Sequence, residues 1–191
     1  MAGTNEFELL AGLLRYPSEG YSSGAVDACE ILANDGPEIG LLLRDFAEQT
    51  RSLSLEDLQV LYTASFDLDP VCSLEVGWHL FGENYERGEF LVRMRCELRR
   101  LGVKESMELP DHLSHALEVL GRMESDEAAD FAAACLFPAL DKMRAGIKGK
   151  SNPFENVLGA AVRFLEHRYA RLEPAMVSTE PAFRILDSKG W

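Results

Sequence analysis

The sequence predicts an all-α fold, a single globular bundle of about eight to ten helices. Apolar residues recur at a spacing of three or four along almost every periodic segment, which is the pattern of amphipathic helices. No segment shows the alternation of apolar and polar residues that is typical of a half-buried strand. With 191 residues, 47% of them hydrophobic, the chain is long enough to build one core. It has no internal repeat and no linker, which favours one domain.

The first four helices have recognisable starts or stops. Asn5 followed by Glu8 resembles a capping box for the first helix, which is expected to stop before Pro17. After a second helix, Pro37 is well placed as the first residue of a third. Ser54 should cap a fourth helix, because an acceptor side chain there can bond to a free backbone N–H.

Helix-breaking residues also divide the second half of the chain into separate helices. Asp67–Pro70 interrupts the helical pattern and opens the least regular part of the chain. Helices are expected at 71–82 and 85–101, and three more are expected to begin at Pro110, Ser125 and Pro153. Pro138 should kink or split the helix that begins at Ser125. Residues 173–191 carry two prolines and weak periodicity, and they are predicted to form a mobile C-terminal tail.

The formal charge of −13 argues against nucleic acid as the partner, because phosphate binding needs a basic patch. It favours a soluble protein whose charged partner is basic. The acidity is concentrated between Lys104 and Asp130, where eight Asp or Glu residues stand against two basic residues. This stretch is either a solvated face or part of a binding surface, and charge patterning alone favours the solvated face.

The cysteines and the apolar segments indicate a cytoplasmic protein. The four cysteines lack the pair spacing of zinc or redox sites, and we expect reduced thiols that pack as small apolar groups. Glu6 and Glu8 interrupt any resemblance to a secretory leader. The apolar run near 128–140 is too short to span a bilayer, so direct membrane insertion is not expected.

Potential metal ligands cluster at Asp111, His112 and His115. The two histidines are one helical turn apart, so they could face the same way. No second group of ligands is visible elsewhere, and a histidine between Leu113 and Leu117 is more often structural. A helical metal-dependent phosphohydrolase that uses these three residues is therefore the alternative hypothesis, and it is the less favoured one.

Asp111 and His112 are better interpreted as a binding device. If Pro110 begins the helix, both side chains lie in its first turn, beside backbone N–H groups that lack partners. The helix dipole favours an acid there and disfavours a protonated histidine. The competing interpretation is that Asp111 only completes the helix start and that His112 is merely exposed. The sequence leaves both interpretations open.

Aromatic residues gather around the breaker at Asp67–Pro70. Tyr62 and Phe66 are best explained as core. Trp78, Phe81 and Tyr85 form a second set. They are spaced three and four residues apart, so their side chains could line one groove. An apolar groove rimmed by acids would suit a basic, amphipathic peptide.

These residues also carry a resemblance to a known family. The motifs, in chain order, are Leu14-Arg15-Tyr16-Pro17, Tyr62 to Leu68, His79-Leu80-Phe81-Gly82-Glu83 with Arg87-Gly88, Glu108-Leu109-Pro110-Asp111-His112-Leu113, and Asn152-Pro153-Phe154. With them the chain resembles the NarJ/TorD/DmsD family of molybdoenzyme assembly chaperones, and most closely the nitrate-reductase (NarJ-like) branch. The resemblance extends over residues 9–172, which would form one helical chaperone domain.

The resemblance implies an all-helical protein that is not an enzyme and has no cofactor of its own. It implies a cytosolic chaperone that binds the N-terminal, twin-arginine-like segment of the large catalytic subunit of a molybdopterin oxidoreductase. The chaperone would hold that subunit for molybdenum cofactor insertion before export or complex assembly. A monomer and a weak homodimer both remain open as its oligomeric state. A third interpretation, an acidic scaffold subunit that stays in the finished complex, also remains open.

By the same resemblance Asp111 and His112 would contact the client, and Glu108 would support their loop. The full set of expected client-binding residues is Tyr62, Asp67, Trp78, Phe81, Tyr85, Glu108, Asp111 and His112. The chain departs from the family pattern at Ser73-Leu74-Glu75, where relatives often carry an aromatic residue. This departure leaves the client open among nitrate, selenate, chlorate, dimethyl-sulfide and hydrocarbon enzymes.

Overall fold

The computed structural model describes residues 5–68 and 70–171, so the predicted tail at 173–191 lies outside the described residues. Within those ranges the chain forms ten α-helices and no sheet, which confirms the all-α prediction. In chain order the helices are α1 (Glu6–Leu13), α2 (Tyr21–Leu32), α3 (Pro37–Thr50), α4 (Leu55–Tyr62), α5 (Val76–Phe81), α6 (Tyr85–Arg100), α7 (Leu113–Leu120), α8 (Ser125–Phe131), α9 (Phe137–Ile147) and α10 (Phe154–Glu166).

The early helix starts follow the sequence signals. The Asn5 side chain accepts a hydrogen bond from the backbone N–H of Phe7 at 3.1 Å and caps α1. At α4, Ser54 and Asp57 form a complete capping box, in which each side chain accepts from the other residue's backbone N–H. Pro37 is the first residue of α3, where its missing N–H removes no helical bond.

Two wider π-helical turns interrupt the regular helices. Thr63–Asp67 continues α4, and Ala132–Leu136 connects α8 to α9 without a break in the helical backbone. Pro138 lies in the first turn of α9, directly after the second π turn. Because proline has no N–H and its ring crowds the carbonyl four residues earlier, a regular α-turn is disfavoured there. The helical backbone continues from α8 through the π turn into α9, so Pro138 does not split the helix, and the predicted kink stays a prediction.

Two predicted helix starts are wrong. Helix α7 begins at Leu113 and not at Pro110, and α5 begins at Val76 and not at residue 71. In both places the chain first forms an extended contact with a distant segment, centred on an antiparallel bridge between Glu75 and His112. Backbone groups that bond across this contact are not available for helical turns, so each helix starts only after it.

The core lies between α10 and the helices that surround it. Helix α10 packs against α3 and α9, while α1 packs against α2 and α7. The rings of Tyr62, Phe66 and Phe154 contact one another edge to face, with centroids 5.0 to 5.8 Å apart. The prediction that Tyr62 and Phe66 are core residues is confirmed, since both are buried. No helix in the described ranges has the length and apolar character needed to cross a bilayer.

Candidate functional site

Two short extended segments meet at the starts of α5 and α7 and form what we call the seam (residues 73–77 and 109–113). The backbone N–H of Val76 donates to the Asp111 carbonyl at 2.9 Å, and the N–H of Leu113 donates to the Leu74 carbonyl at 2.8 Å. These two bonds flank the Glu75–His112 bridge. The seam therefore fixes the position of α5 relative to α7.

The Asp111 carboxylate lies inside the seam and is 0% exposed. Its Oδ2 accepts a hydrogen bond from the backbone N–H of Gly77 at 2.9 Å, so it holds the N-terminus of α5. Burial raises the pKa of Asp111 to about 6, although the nearby Arg87 guanidinium and the Gly77 N–H oppose the rise. The other oxygen, Oδ1, and the Arg87 Nε are both buried without a hydrogen-bond partner.

Gly77 makes this close approach possible. A Cβ atom at position 77 would lie 2.7 Å from Asp111 Oδ2 and 2.9 Å from Cδ1 of Phe90. Both distances are shorter than real Cβ contacts, and both neighbours are buried. Only glycine therefore lets the backbone reach the carboxylate here.

His112 is the N-cap residue of α7 and is 3% exposed. Its Nδ1 accepts from the backbone N–H of Ser114 at 3.2 Å and lies 2.8 Å from the Ser114 hydroxyl. Its Nε2 lies 3.3 Å from the Tyr62 hydroxyl, which itself donates to the Leu14 carbonyl at 3.0 Å. Because Nδ1 accepts, the proton of the neutral ring is on Nε2, where it donates to Tyr62.

The environment keeps His112 neutral. Burial, with smaller contributions from the neighbouring His115 and Arg15, lowers the pKa of His112 to about 3. The interpretation of His112 as an exposed side chain is therefore wrong, and so is its placement in a first helical turn. Its ring is an internal cap that connects the seam to α1 and α4 through Tyr62.

Glu75 of the seam lies close to the carboxylates of Asp67 and Glu108, and we call these three acids the acidic surface. Partial burial raises the pKa of Glu108, and the negative charges of Asp67 and Glu75 raise it further. Burial also raises the pKa of the Tyr62 phenol, and the negative charges of the same three acids add to the rise. Exposed apolar side chains adjoin the acids in the chain, namely Leu68, Met107 and Leu109.

Glu75 is the member that the sequence did not single out. It lies far from Glu108 in the chain, and the bridge to His112 brings it close. In the sequence it appears only as the departure from the family pattern at Ser73-Leu74-Glu75. Met107 was also missed, because it falls in an irregular segment without periodicity, and Leu109 was named only as part of the motif that begins at Glu108.

The structure separates the three aromatic residues that were expected to share a groove. Trp78 lines a groove of about 550 Å³ between α5 and α9, together with Pro70, Val71, Leu80, Lys142 and Ala145. We call this the α5–α9 groove. Phe81 packs against Phe90, with ring centroids 5.6 Å apart. Tyr85 begins α6, is 81% exposed and does not line the groove. The prediction of a shared groove is therefore wrong for Phe81 and Tyr85.

Two contacts hold the indole of Trp78 in place. Its Nε1 donates to the Pro70 carbonyl at 2.8 Å, and the Arg87 guanidinium lies 5.4 Å from the ring centroid. A cation over an indole face is an attractive contact. Arg87 is therefore placed between Trp78 and Asp111, so it links the groove to the seam.

Several acids of the 104–130 stretch are bound to arginines of this chain. Glu118 is buried and paired with Arg15. Glu105 pairs with Arg95 at 2.8 Å, and Glu127 pairs with Arg100 at 2.7 Å. The first of these pairs joins α7 to the end of α1, and the last joins α8 to α6. The stretch is thus not simply a solvated face, because part of it ties helices together.

The ligand set of the phosphohydrolase alternative is not assembled. His115 donates from Nδ1 to the Leu109 carbonyl at 2.9 Å and accepts at Nε2 from the Ser106 N–H at 3.1 Å. Both ring nitrogens of His112 are also engaged, and Asp111 points at Gly77. Across residues 5–68 and 70–171, no three His, Cys, Asp or Glu side chains are grouped so that they could hold a metal ion.

The fold and the site together define an all-helical protein with a buried polar seam beneath an acidic, partly apolar surface. A family model described as nitrate reductase delta subunit matches residues 32–156, which is well over half of the chain. The chain belongs to this family, and the resemblance inferred from its motifs is confirmed.

Two relatives from Escherichia coli strain K12 are similar over much of the chain. The nitrate reductase molybdenum cofactor assembly chaperone NarJ is 29% identical over 133 residues, covering 65% of this chain and 55% of NarJ. The probable nitrate reductase molybdenum cofactor assembly chaperone NarW is 29% identical over 119 residues, covering 62% of this chain and 50% of NarW. The chain therefore spans about half the length of the curated relatives it matches.

Proposed function

We propose that this protein is a molybdoenzyme assembly chaperone without catalytic activity of its own. It binds the basic N-terminal segment of the catalytic subunit of a molybdopterin oxidoreductase in the cytoplasm. It holds that subunit for molybdenum cofactor insertion before export or complex assembly, and it acts as a monomer or weak homodimer. Family membership and the names of NarJ and NarW support the chaperone role.

The observation that carries the peptide-binding proposal is the acidic surface. Burial raises the pKa of Glu108, and the negative charges of Asp67 and Glu75 add to the rise. A bound cation relieves the repulsion among these charges, because it lowers the electrostatic energy of all three carboxylates at once. The apolar side chains beside them supply area for the nonpolar face of the same peptide. A basic, amphipathic segment matches both properties.

Asp111 and His112 contribute to this surface from below. Neither side chain is exposed, so we propose that Asp111 and His112 hold Glu75 and Glu108 in position through the contacts of the seam. Tyr62 supports His112 from the core. Of the remaining expected client-binding residues, Asp67 belongs to the acidic surface, Trp78 to the groove and Tyr85 to the exposed start of α6. Phe81 supports α5 through its contact with Phe90.

Charge-neutralising substitutions test the peptide site. The client is first identified as the large subunit that co-purifies with the chaperone from its native cell, and a synthetic copy of that subunit's N-terminal segment is the probe. The variant Asp67→Asn, Glu75→Gln, Glu108→Gln is compared by calorimetry with the unmodified protein. Exposed ion pairs contribute about 0.2–1 kcal/mol each, so we expect the affinity to fall about tenfold.

A second triple variant controls for net charge. Glu124→Gln, Asp126→Asn, Asp130→Asn removes three exposed carboxylates from the same acidic stretch but outside the acidic surface. This variant should bind the peptide as the unmodified protein does. Equal losses in the two variants would show that the peptide senses only the overall charge, and the proposed site would be wrong.

The scaffold interpretation is tested on the finished enzyme. A chaperone leaves its client once the cofactor is inserted, whereas a scaffold subunit remains. Stoichiometric amounts of this chain in the purified, mature oxidoreductase would contradict the chaperone proposal. Its presence only with the cofactor-free precursor is the expected result.

A further inference from the structure

We propose that His115 holds Glu108 in the acidic surface, and that the segment between Glu105 and Leu109, which we call the 105–109 loop, presents Met107 to the client. The inference rests on the proposed function and deepens it, because His115 acts on the peptide site without touching the peptide. It is carried by the hydrogen bonds of the His115 ring and by the exposure of Met107.

Both ring nitrogens of His115 bond to the backbone of the 105–109 loop. The ring belongs to α7 and is 1% exposed. Its Nδ1 donates to the Leu109 carbonyl at 2.9 Å, and its Nε2 accepts from the Ser106 N–H at 3.1 Å. Since an N–H can donate only to a nitrogen that carries no proton, the ring proton of His115 is on Nδ1. His112, whose ring lies beside it, has the opposite tautomer.

Ser106 connects this ring to Glu108. The Ser106 hydroxyl oxygen accepts a hydrogen bond from the Glu108 N–H at 3.2 Å, so the position of Ser106 determines where the Glu108 backbone lies. The Leu109 carbonyl has a second donor, because it also accepts from the His112 N–H at 3.0 Å. Loss of the His115 ring would therefore free the Ser106 end of the loop, while the Leu109 end would stay bonded.

The 105–109 loop is also fixed at its other end, and an apolar side chain lies between the two fixed ends. Glu105 forms an ion pair with Arg95 of α6 at 2.8 Å. Met107 is 100% exposed, and a flexible thioether side chain adapts well to a partner's surface. Glu108 follows it directly and supplies a negative charge. These two neighbouring side chains therefore match the apolar and the basic residues of an amphipathic segment.

Peptide affinity tests the role of His115. The probe is the synthetic N-terminal peptide of the co-purified client, and calorimetry measures its binding. In His115→Asn the amide nitrogen takes the place of Nδ1 and keeps the bond to Leu109. In His115→Gln the amide oxygen takes the place of Nε2 and keeps the bond to Ser106. The affinity should fall about fivefold in His115→Asn, as for one lost hydrogen bond, and His115→Gln should restore it to within about twofold.

Two exposed positions test the same path without changing a buried residue. Ser106→Ala keeps the N–H that His115 accepts and removes the hydroxyl that holds Glu108, and the fold tolerates it because Ser106 is exposed. Met107→Gln keeps the length of the side chain and removes its apolar end. Each should weaken peptide binding about threefold. Ser125→Ala, at an exposed serine outside the loop, is the matched control and should bind as the unmodified protein does.

Nuclear magnetic resonance of the free protein tests the loop contacts without a client. The nitrogen chemical shifts of the His115 ring should show a proton on Nδ1 and none on Nε2. Amide hydrogen exchange of Ser106 should become about tenfold faster in His115→Asn, as for a locally opened bond, and should stay slow in His115→Gln. A proton on Nε2, or equal exchange in the two variants, would overturn the proposal.

The binding measurements separate this inference from the proposed function. If the unmodified protein binds the peptide and Ser106→Ala binds it equally well, the proposed function stands and the role of His115 and Ser106 is wrong. Equal binding by Met107→Gln would remove Met107 from the contact and overturn that part of the proposal. If the unmodified protein does not bind the peptide at all, the proposed function fails, and this inference fails with it.

Discussion

At position 112 a neutral histidine does what Asn, Asp or Ser does at most helix starts. Its Nδ1 accepts the backbone N–H of Ser114, which would otherwise lack a partner. The choice of histidine has a second effect, because the opposite nitrogen reaches the Tyr62 hydroxyl. A shorter capping side chain could not make both contacts. His112 therefore caps α7 and also contacts Tyr62 in the core. Its ring must stay neutral, because Nδ1 can accept a hydrogen bond only when it is unprotonated.

This requirement gives the stability a defined pH dependence. The pKa of His112 is lowered from 6.5 to about 3 in the folded protein, so the unfolded chain binds the proton more readily. The free energy of unfolding therefore falls as the pH drops from about 6.5 towards 3. His112→Asn keeps the cap but removes the titration. Between pH 6.5 and 5 the variant should lose about 2 kcal/mol less than the unmodified protein, as measured by urea unfolding.

Asp111 has the opposite effect and must be separated from His112. Its pKa is raised from 3.8 to about 6, so the folded protein binds this proton more readily. Its contribution to stability is present below about pH 4 and is lost as the pH rises through 6. The comparison with His112→Asn isolates His112, since both proteins retain Asp111. Parallel pH profiles for the two proteins would show that His112 does not carry the acid sensitivity.

On the scale of the helices, the close contact at Gly77 decides how α5 meets α7. Gly77→Ala should lower the free energy of unfolding by about 1–3 kcal/mol, as overpacking does in other cores. The reason is the absence of space between Asp111 and Phe90. Gly88→Ala in α6 is the matched control, because a Cβ at position 88 meets nothing within 4 Å. It should stabilise the protein by about 0.4–1 kcal/mol.

Chemical denaturation of both variants measures this difference. Equal effects at positions 77 and 88 would mean that the seam relaxes around a methyl group, and that Asp111 is not held as tightly as its contacts indicate. The peptide affinity of Gly77→Ala should fall as well, because a displaced seam moves Glu75 relative to Glu108.

The helices themselves could be predicted because their signals are local. Caps, prolines and apolar periodicity all act within a few residues, and they predicted the all-α class, the cap at Ser54 and the start of α3 at Pro37. The seam could not be predicted, because it depends on backbone bonds between residues that are far apart in the chain. Pro110 shows the difficulty, since proline is common at helix starts but here precedes an extended contact.

The proposed binding surface was predictable in part for the same reason. Glu108, Asp111 and His112 were found through their motif, and Asp67 through the breaker that contains it. Glu75 and the burial of Asp111 and His112 required the tertiary structure. The aromatic spacing of Trp78, Phe81 and Tyr85 was misleading, because a helix end at Gly82 separates Tyr85 from the other two.

On the scale of the whole molecule, the net charge is −13, but some of the acids form ion pairs with arginines of the same chain. Arginines 15, 95 and 100 neutralise acids of the 104–130 stretch in ion pairs. Negative potential remains where carboxylates lie close together without a salt bridge to an arginine of the described part of the chain. Asp67, Glu75 and Glu108 form such a place, and a basic segment approaching the protein is directed towards it.

Salt should weaken this long-range attraction. The Debye length is about 10 Å at 0.1 M salt and about 3 Å at 1 M. Calorimetric titration with the client's N-terminal peptide should therefore show a steady loss of affinity as the salt concentration rises. The Asp67→Asn, Glu75→Gln, Glu108→Gln variant should show a shallower dependence. An affinity that does not respond to salt would mean that apolar contacts alone hold the peptide.

The seam also closes a large loop, since it joins residue 75 to residue 112 and leaves α5 and α6 between them. The entropic cost of closing a flexible loop grows only with the logarithm of its length, by about 0.6 kcal/mol for each doubling. Residues could therefore be added at the exposed connection after α6 without moving the two ends that the seam holds. The chain between those ends is free to vary in length, while the spacing between Glu75 and Glu108 stays fixed.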